Sequence, residues 1–148
     1  MAFPSFPVQR LDYHAPERLC ASLAGVLGPP RRTLDVLDAG CRTGLCGPLL
    51  LRPHARSLLG VDLSSGTLAK ANTRAIYDHL VEAEIEQFLD GHTAQFDVVA
   101  SADTLCYFGD LMPAMRAAHA SLRPDWWLAF TLERADDTGT HRINPHGR

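Results

Sequence analysis

Apolar residues along this chain alternate between helical spacing and continuous strand-like runs. Residues 16–27 place Leu19, Leu23 and Val26 or Leu27 on one helical face, with Pro16 suited to a first turn. Gly28-Pro29-Pro30 stops that helix. Thr33–Ala39 (T-L-D-V-L-D-A) then predicts a buried strand running into Gly40, and a second helix is expected from near Gly44 to about Leu51. Ser57–Leu63 is a second apolar strand ending in an acid. Ser64-Ser65-Gly66 opens a helix through Ala75, with Leu68 and Ala71 inward and Ser64 or Ser65 as N-cap. Leu80–Ile85 reads as a weak strand and Glu86–Asp90 as at most a short helix. Phe96–Ser101 is a strong strand. Gly109–Leu122 is helical, with Leu111, Met115, Ala118 and Leu122 on one face and Pro124 ending it. Trp126–Leu132 is a last strand, its two tryptophans expected to pack, and the chain is polar from Glu133 onward.

Continuous apolar strands separated by helices imply an α/β domain whose parallel sheet is covered on both faces. Ligands of such sheets bind at the carboxyl ends of the strands, which directs attention to Asp38–Gly44, Asp62-Leu63, Glu84 and Ala102–Tyr107.

Composition narrows the function classes. The 148 residues, 46% hydrophobic and 21% charged, suit one globular domain. No apolar run approaches the roughly 18 residues of a membrane span, and residues 1–12 do not read as a signal peptide, so a cytoplasmic protein without membrane partners is expected. A net charge of −3 gives no clear nucleic-acid signal. Lys70 is the only lysine among fourteen basic residues. Cys20, Cys41, Cys46 and Cys106 form no C-x-x-C pair and are read as small buried thiols, with no metal site. The seven histidines show no ligand spacing, and His54, His92 and His146 are expected at the surface.

The strongest local signal is V-L-D-A-G-C-R-T-G at Val36–Gly44. A strand, then glycines, then a helix start lets the backbone approach a ligand with outward-pointing amides. Asp62 ends the next strand in G-V-D-L-S, where a carboxylate can accept from both hydroxyls of an adenosine ribose. On these residues the chain resembles the class I S-adenosylmethionine-dependent methyltransferases. Their first motif matches Val36–Gly44 except at Arg42, which replaces the middle glycine. Gly60–Ser64 resembles the ribose-binding second motif, Ala69–Ala71 the helix after it, Phe96–Val99 the fourth strand, and Leu122-Arg123-Pro124 the approach to the fifth. A finer resemblance is to bacterial methyltransferases found beside tetratricopeptide repeats. It rests on Leu11–Pro16 (L-x-Y-x-A-P), Ile76–Leu80, and Ala102–Leu111 (A-D-x-L-x-Y-F-G-D-L).

The resemblance implies a Rossmann-like, doubly wound parallel sheet in the order 3-2-1-4-5, with strands near residues 81–85, 57–62, 34–39, 96–101 and 126–132. It implies a single domain: an N-terminal lid segment over 1–30, a core over 31–133 and a polar tail over 134–148. It also implies S-adenosyl-L-methionine as cofactor and an unidentified methyl acceptor, a small molecule. Gly40 and Gly44 would let the loop pass under the methionyl part, with Ala39 and Cys41 beside them. Asp38 would order the loop and reach the methionyl amine. Asp62 would bind the ribose, Leu63 and Ile85 would flank the adenine, and Glu84 would accept from its amino group. Ala102, Asp103 and Tyr107 would lie near the transferred methyl, Asp103 as the available base, and Tyr13 would come from the lid.

Two departures accompany Arg42. The family follows Leu-Arg-Pro with two glycines, where this chain has Asp125-Trp126 in a turn that often needs positive φ. The chain also stops at Arg148, so the usual C-terminal antiparallel hairpin is expected to be missing. Two other readings compete. One is a non-catalytic module that binds cofactor or partners. The other is a nicotinamide-binding domain, since Gly40-x-x-x-Gly44-x-x-Gly47 resembles short-chain dehydrogenases. The latter fares worse, because Asp38 would crowd a pyrophosphate and no Y-x-x-x-K pair exists.

Overall fold

A computed structural model of the chain describes residues 15–42, 51–102, 104–105 and 108–132. In order these form α1 (Ala15–Leu27), β1 (Leu34–Ala39), α2 (Arg52–His54), β2 (Ala55–Asp62), α3 (Ser65–Asn72), β3 (His79–Glu82), α4 (Ile85–Asp90), β4 (Phe96–Ser101), α5 (Met112–Ser121) and β5 (Leu122–Phe130). The strands make one sheet in the order β3-β2-β1-β4-β5, all pairs parallel, as the sequence pattern implies. Solid apolar runs form the middle of it. All six residues of β4 are buried, as are the last four of β1, because helices cover both faces.

One face packs Leu19 and Leu23 of α1 on Val36, Leu58, Val98 and Ala100. The other packs Phe88 and Leu89 of α4 and Ala117 and Ala118 of α5 on Leu37, Val61 and Val99. Ser64 caps α3, its hydroxyl accepting from the Thr67 N–H at 3.3 Å, and Leu68 and Ala71 are buried as expected. The predicted helix between Gly44 and Leu51 lies almost wholly outside the described residues, as do Cys46, Cys106 and His146.

Several expectations need correcting. The third strand starts at His79 and ends at Glu82, so Glu84 is the N-cap of α4, not a strand end. The buried stripe of α5 is Ala114, Ala117, Ala118 and Ser121, rotated from the predicted face. That helix stops at Ser121, and Pro124 lies inside β5, an edge position among the described strands where a missing N–H is tolerated. Of the paired alternatives in α1, Leu27 packs on the core and Val26 is exposed.

The fifth strand carries the largest irregularity. Phe96 pairs with Leu122 but Val98 pairs with Trp127, so residues 123–126 bulge out, and Asp125 takes φ +67. The left-handed turn therefore falls on aspartate, which tolerates it better than tryptophan. Trp126 and Trp127 are consequently 41% and 43% exposed, not packed. His54, expected at the surface, is 4% exposed at the end of α2. His92 is half-buried, stacked on Phe88 with ring centroids 4.0 Å apart.

Charge ties the amino end of the sheet. Asp97 of β4 accepts the Asp35 N–H at 2.8 Å and pairs with Arg123 at 3.0 Å. Arg123 also reaches Asp35 at 2.9 Å, and the Arg56 Nε donates to Asp35 at 3.1 Å. The Arg56 guanidinium, more than that of Arg123, holds the Asp35 carboxyl below the usual carboxylate range against its partial burial. Four adjacent strands, β2, β1, β4 and β5, are thus pinned by one network. Asp97→Ala, which strands a strand N–H and removes an ion pair beside buried backbone, should cost about 1.5–3 kcal/mol in urea unfolding.

Candidate functional site

The carboxyl end of the sheet is built on a turn at Gly40. Its φ of +70 is left-handed, and a Cβ there would sit 2.5 Å from the Thr104 side chain. Glycine is required twice over, by conformation and by space. The Thr104 hydroxyl donates to the Gly40 carbonyl at 3.2 Å and lies 3.1 Å from that of Ala102, tying the loop after β4 to the loop after β1. The Gly40 and Cys41 N–H groups both donate to the Val61 carbonyl, at 2.8 and 3.0 Å. These two amides therefore fasten the loop to β2 and do not point outward to a ligand, as the motif alone had suggested. Arg42 follows with φ +54, the conformation for which the family's glycine is suited.

Asp38, the penultimate residue of β1, two positions before Gly40, is 2% exposed. Its Oδ2 accepts from the Tyr77 hydroxyl at 2.6 Å, and its Oδ1 takes no hydrogen bond among the described residues. The Tyr77 ring reaches it by crossing β2 at Gly60. A Cβ on Gly60 would lie 3.0 Å from Tyr77 Cε1, 2.9 Å from Cys41 Sγ and 2.8 Å from Leu80 Cδ2. The segment carrying Tyr77 is held by Asp78, which accepts from the Leu58 N–H at 2.7 Å and pairs with Arg52 at 2.9 Å. Burial pushes the Asp38 carboxyl from 3.8 up to about 7, the Tyr77 hydrogen bond opposes that rise, and the Asp62 charge adds to it. Burial, with Asp38 and Asp62 nearby, also raises the Cys41 thiol far above its ordinary range, so it is an inert packing group.

Asp62 shows the same division of labour. Its Oδ2 accepts from the Ser64 N–H at 3.2 Å and the Thr67 hydroxyl at 2.8 Å, while Oδ1 accepts nothing among the described residues. Glu84 uses Oε1 to cap α4 through the Gln87 N–H at 2.9 Å. Glu84 follows β3, Asp62 is the last residue of β2 and Asp38 the penultimate residue of β1, so the three acids stand at the carboxyl ends of neighbouring strands, each with one oxygen held by the chain. Leu63, 67% exposed, lies beside them. Ala39, Ile85 and Ala102 are buried in the two core clusters. Ala39 and Ile85 share the face covered by α4 and α5, and Ala102 the face covered by α1. Tyr13, Gly44, Asp103 and Tyr107 lie outside the described residues.

Tyr77 and Thr104 were missed by sequence reasoning. Tyr77 had a signal in the Ile76–Leu80 resemblance but no partner, since Asp38 lies 39 positions away. Thr104 had none. Among the described residues no cluster of His, Cys, Asp or Glu is arranged to hold a metal ion, and no helix is long and apolar enough to cross a membrane.

A doubly wound sheet with an acid before a left-handed glycine turn and a second acid ending the next strand defines a nucleotide-type site at its carboxyl edge. The methyltransferase-domain family matches residues 11–145, and the chain belongs to this family, whose cofactor is S-adenosylmethionine. It is 37% identical over 108 residues to malonyl-acyl-carrier-protein O-methyltransferase of Enterobacter lignolyticus, across 73% of this chain and 42% of that protein. The solved 1,6-didemethyltoxoflavin-N1-methyltransferase of Burkholderia thailandensis, with S-adenosylhomocysteine bound, is 28% identical at a TM-score of 0.67, over 85% of this chain and 55% of that one. An S-adenosylmethionine-dependent methyltransferase from Mesorhizobium loti is 29% identical at 0.60, over 74% and 51%. The chain spans less than half the length of the curated relatives it matches.

The raised Asp38 value has a definite sign. A carboxyl that ionises near 3.8 unfolded and near 7 folded binds more protons in the native state. Its contribution to stability is full below about pH 4 and is lost as pH rises to about 7. Urea unfolding across that window should show stability falling with pH in the wild type, and Asp38→Asn should flatten this component.

Proposed function

We propose that the chain carries the cofactor-binding core of an S-adenosylmethionine-dependent methyltransferase acting on a small molecule through an oxygen nucleophile. The observation that carries this reading is the pair of strand-end carboxylates, Asp38 and Asp62, each with Oδ2 bonded to the chain and Oδ1 free of hydrogen bonds among the described residues. The donor set suits the cofactor's two polar ends. A buried carboxylate matches a cationic methionyl amine, and a half-exposed one matches a vicinal diol. When bound, S-adenosylmethionine supplies an electrophilic methyl group on sulfur.

The chain's own work is positioning. Asp62, stiffened by Ser64 and Thr67, presents an acceptor to the ribose. Asp38, held by Tyr77, presents one to the amine. Leu63 offers an apolar surface to the adenine, and Glu84 an acceptor to its amino group. Asp103 and Tyr107, by the family resemblance, are the residues for the acceptor side, with Asp103 as base.

Oxygen as the nucleophile is supported by the similarity to O-methyltransferases acting on malonyl-acyl-carrier protein and in ubiquinone biosynthesis. The finer kinship with methyltransferases beside tetratricopeptide repeats is supported by the Leu11–Pro16 and Ala102–Leu111 segments. The buried Cys41 thiol suits a reducing cytoplasm.

The test is calorimetry with S-adenosylhomocysteine beside transfer of labelled methyl to a panel of small carboxylic acids and phenols. Saturable binding with transfer is expected; binding without transfer would reduce the chain to a binding module. Within that assay, Asp62→Ala should weaken S-adenosylhomocysteine binding by about 1.5–3 kcal/mol, the range for hydrogen bonds to a charged group. Arg42→Gly should strengthen it by up to about 1.4 kcal/mol, a tenfold step in affinity. It removes a bulky side chain at a left-handed position beside the cofactor loop. Weaker binding by Arg42→Gly would instead make Arg42 a partner of the methionyl carboxylate.

A further inference from the structure

A cleft of about 340 Å³ opens where β1 begins, at the opposite end of the sheet from Asp38 and Asp62. Leu27 of α1, Leu34 of β1, Arg31, His54, Trp126 and Trp127 are among its walls. Two local distortions build it. The β5 bulge at residues 123–126, with Asp125 at φ +67, sets Trp126 and Trp127 against the cleft. On the other side, Arg32 adopts φ +55 and donates its N–H to the Pro53 carbonyl at 3.2 Å, which holds Arg31 beside His54.

The polar groups here are unspent. His54 is 4% exposed, lines the cleft and makes no hydrogen bond among the described residues. Arg31 is exposed and forms no ion pair among them. Every acid of the nearby network is already engaged, Asp35 by Arg56 and Arg123, and Asp97 by Arg123. Indole and leucine walls accept a flat apolar body, and a guanidinium with an imidazole N–H accepts an anion.

We propose that this cleft is a separate binding site for a planar aromatic carboxylate, its ring between the tryptophans and Leu27 and Leu34, its carboxylate on Arg31 and His54. The ligand would bind independently of the carboxyl-end site.

The chain holds two tryptophans, both in this cleft, so its intrinsic fluorescence reads the site directly. The probe is 2-naphthoate, with 2-naphthamide as its uncharged counterpart. Saturable quenching by 2-naphthoate is expected, with at least tenfold weaker binding for 2-naphthamide and for Arg31→Ala, a surface change that leaves the core intact. Saturating S-adenosylhomocysteine should not displace the probe. Absence of saturable quenching, equal affinity for acid and amide or for wild type and R31A, or displacement by S-adenosylhomocysteine would each overturn the proposal.

Discussion

The Val61 carbonyl oxygen takes two N–H donors, from Gly40 and Cys41, and through them the loop after β1 is fastened onto β2. That acceptor fixes the path of the chain past the end of β1. It forces the left-handed turn at Gly40, places Cys41 over Gly60, and leaves Thr104 as the lid over the glycine. Asp38 is buried beneath this turn, and its partner Tyr77 comes in over the same Gly60. Loosening the Val61 contact would free the loop, uncover Asp38 and remove the reason for both glycines at once.

Much of this was written in the apolar pattern. The strands β1, β2 and β4 are long runs buried on both faces, so continuous hydrophobicity located them to within a residue or two. The weak strand was misplaced because His79 and Glu82 carry polar side chains and the ladder there is held by register with β2. The pattern puts Leu111, Met115, Ala118 and Leu122 on the inner face of α5, whereas the close approach of α5 to the sheet selects Ala114, Ala117, Ala118 and Ser121. No periodicity foretells a bulge, so the exposure of Trp126 and Trp127 could not be read from a run that looks like core.

The acids of the site were legible because each ends a strand or caps a helix, positions that sequence marks well. Their partners were not. The bond from Tyr77 to Asp38 spans 39 positions and depends on the absence of a side chain at Gly60, a property of three strands together. The Thr104 contact likewise joins loops 64 positions apart. Local rules report where a carboxylate will stand, and tertiary contacts decide which of its oxygens remains available.

A carboxyl that ionises near 7 is a store of exchangeable protons at neutral pH. Any cation seated against Asp38 favours its charged form and expels the stored proton to solvent. The heat of such an event then includes protonation of the surrounding buffer, and it is more exothermic in an amine buffer than in phosphate. The burial of one side chain beneath a glycine turn thereby makes the domain's binding calorimetry depend on the medium that surrounds it.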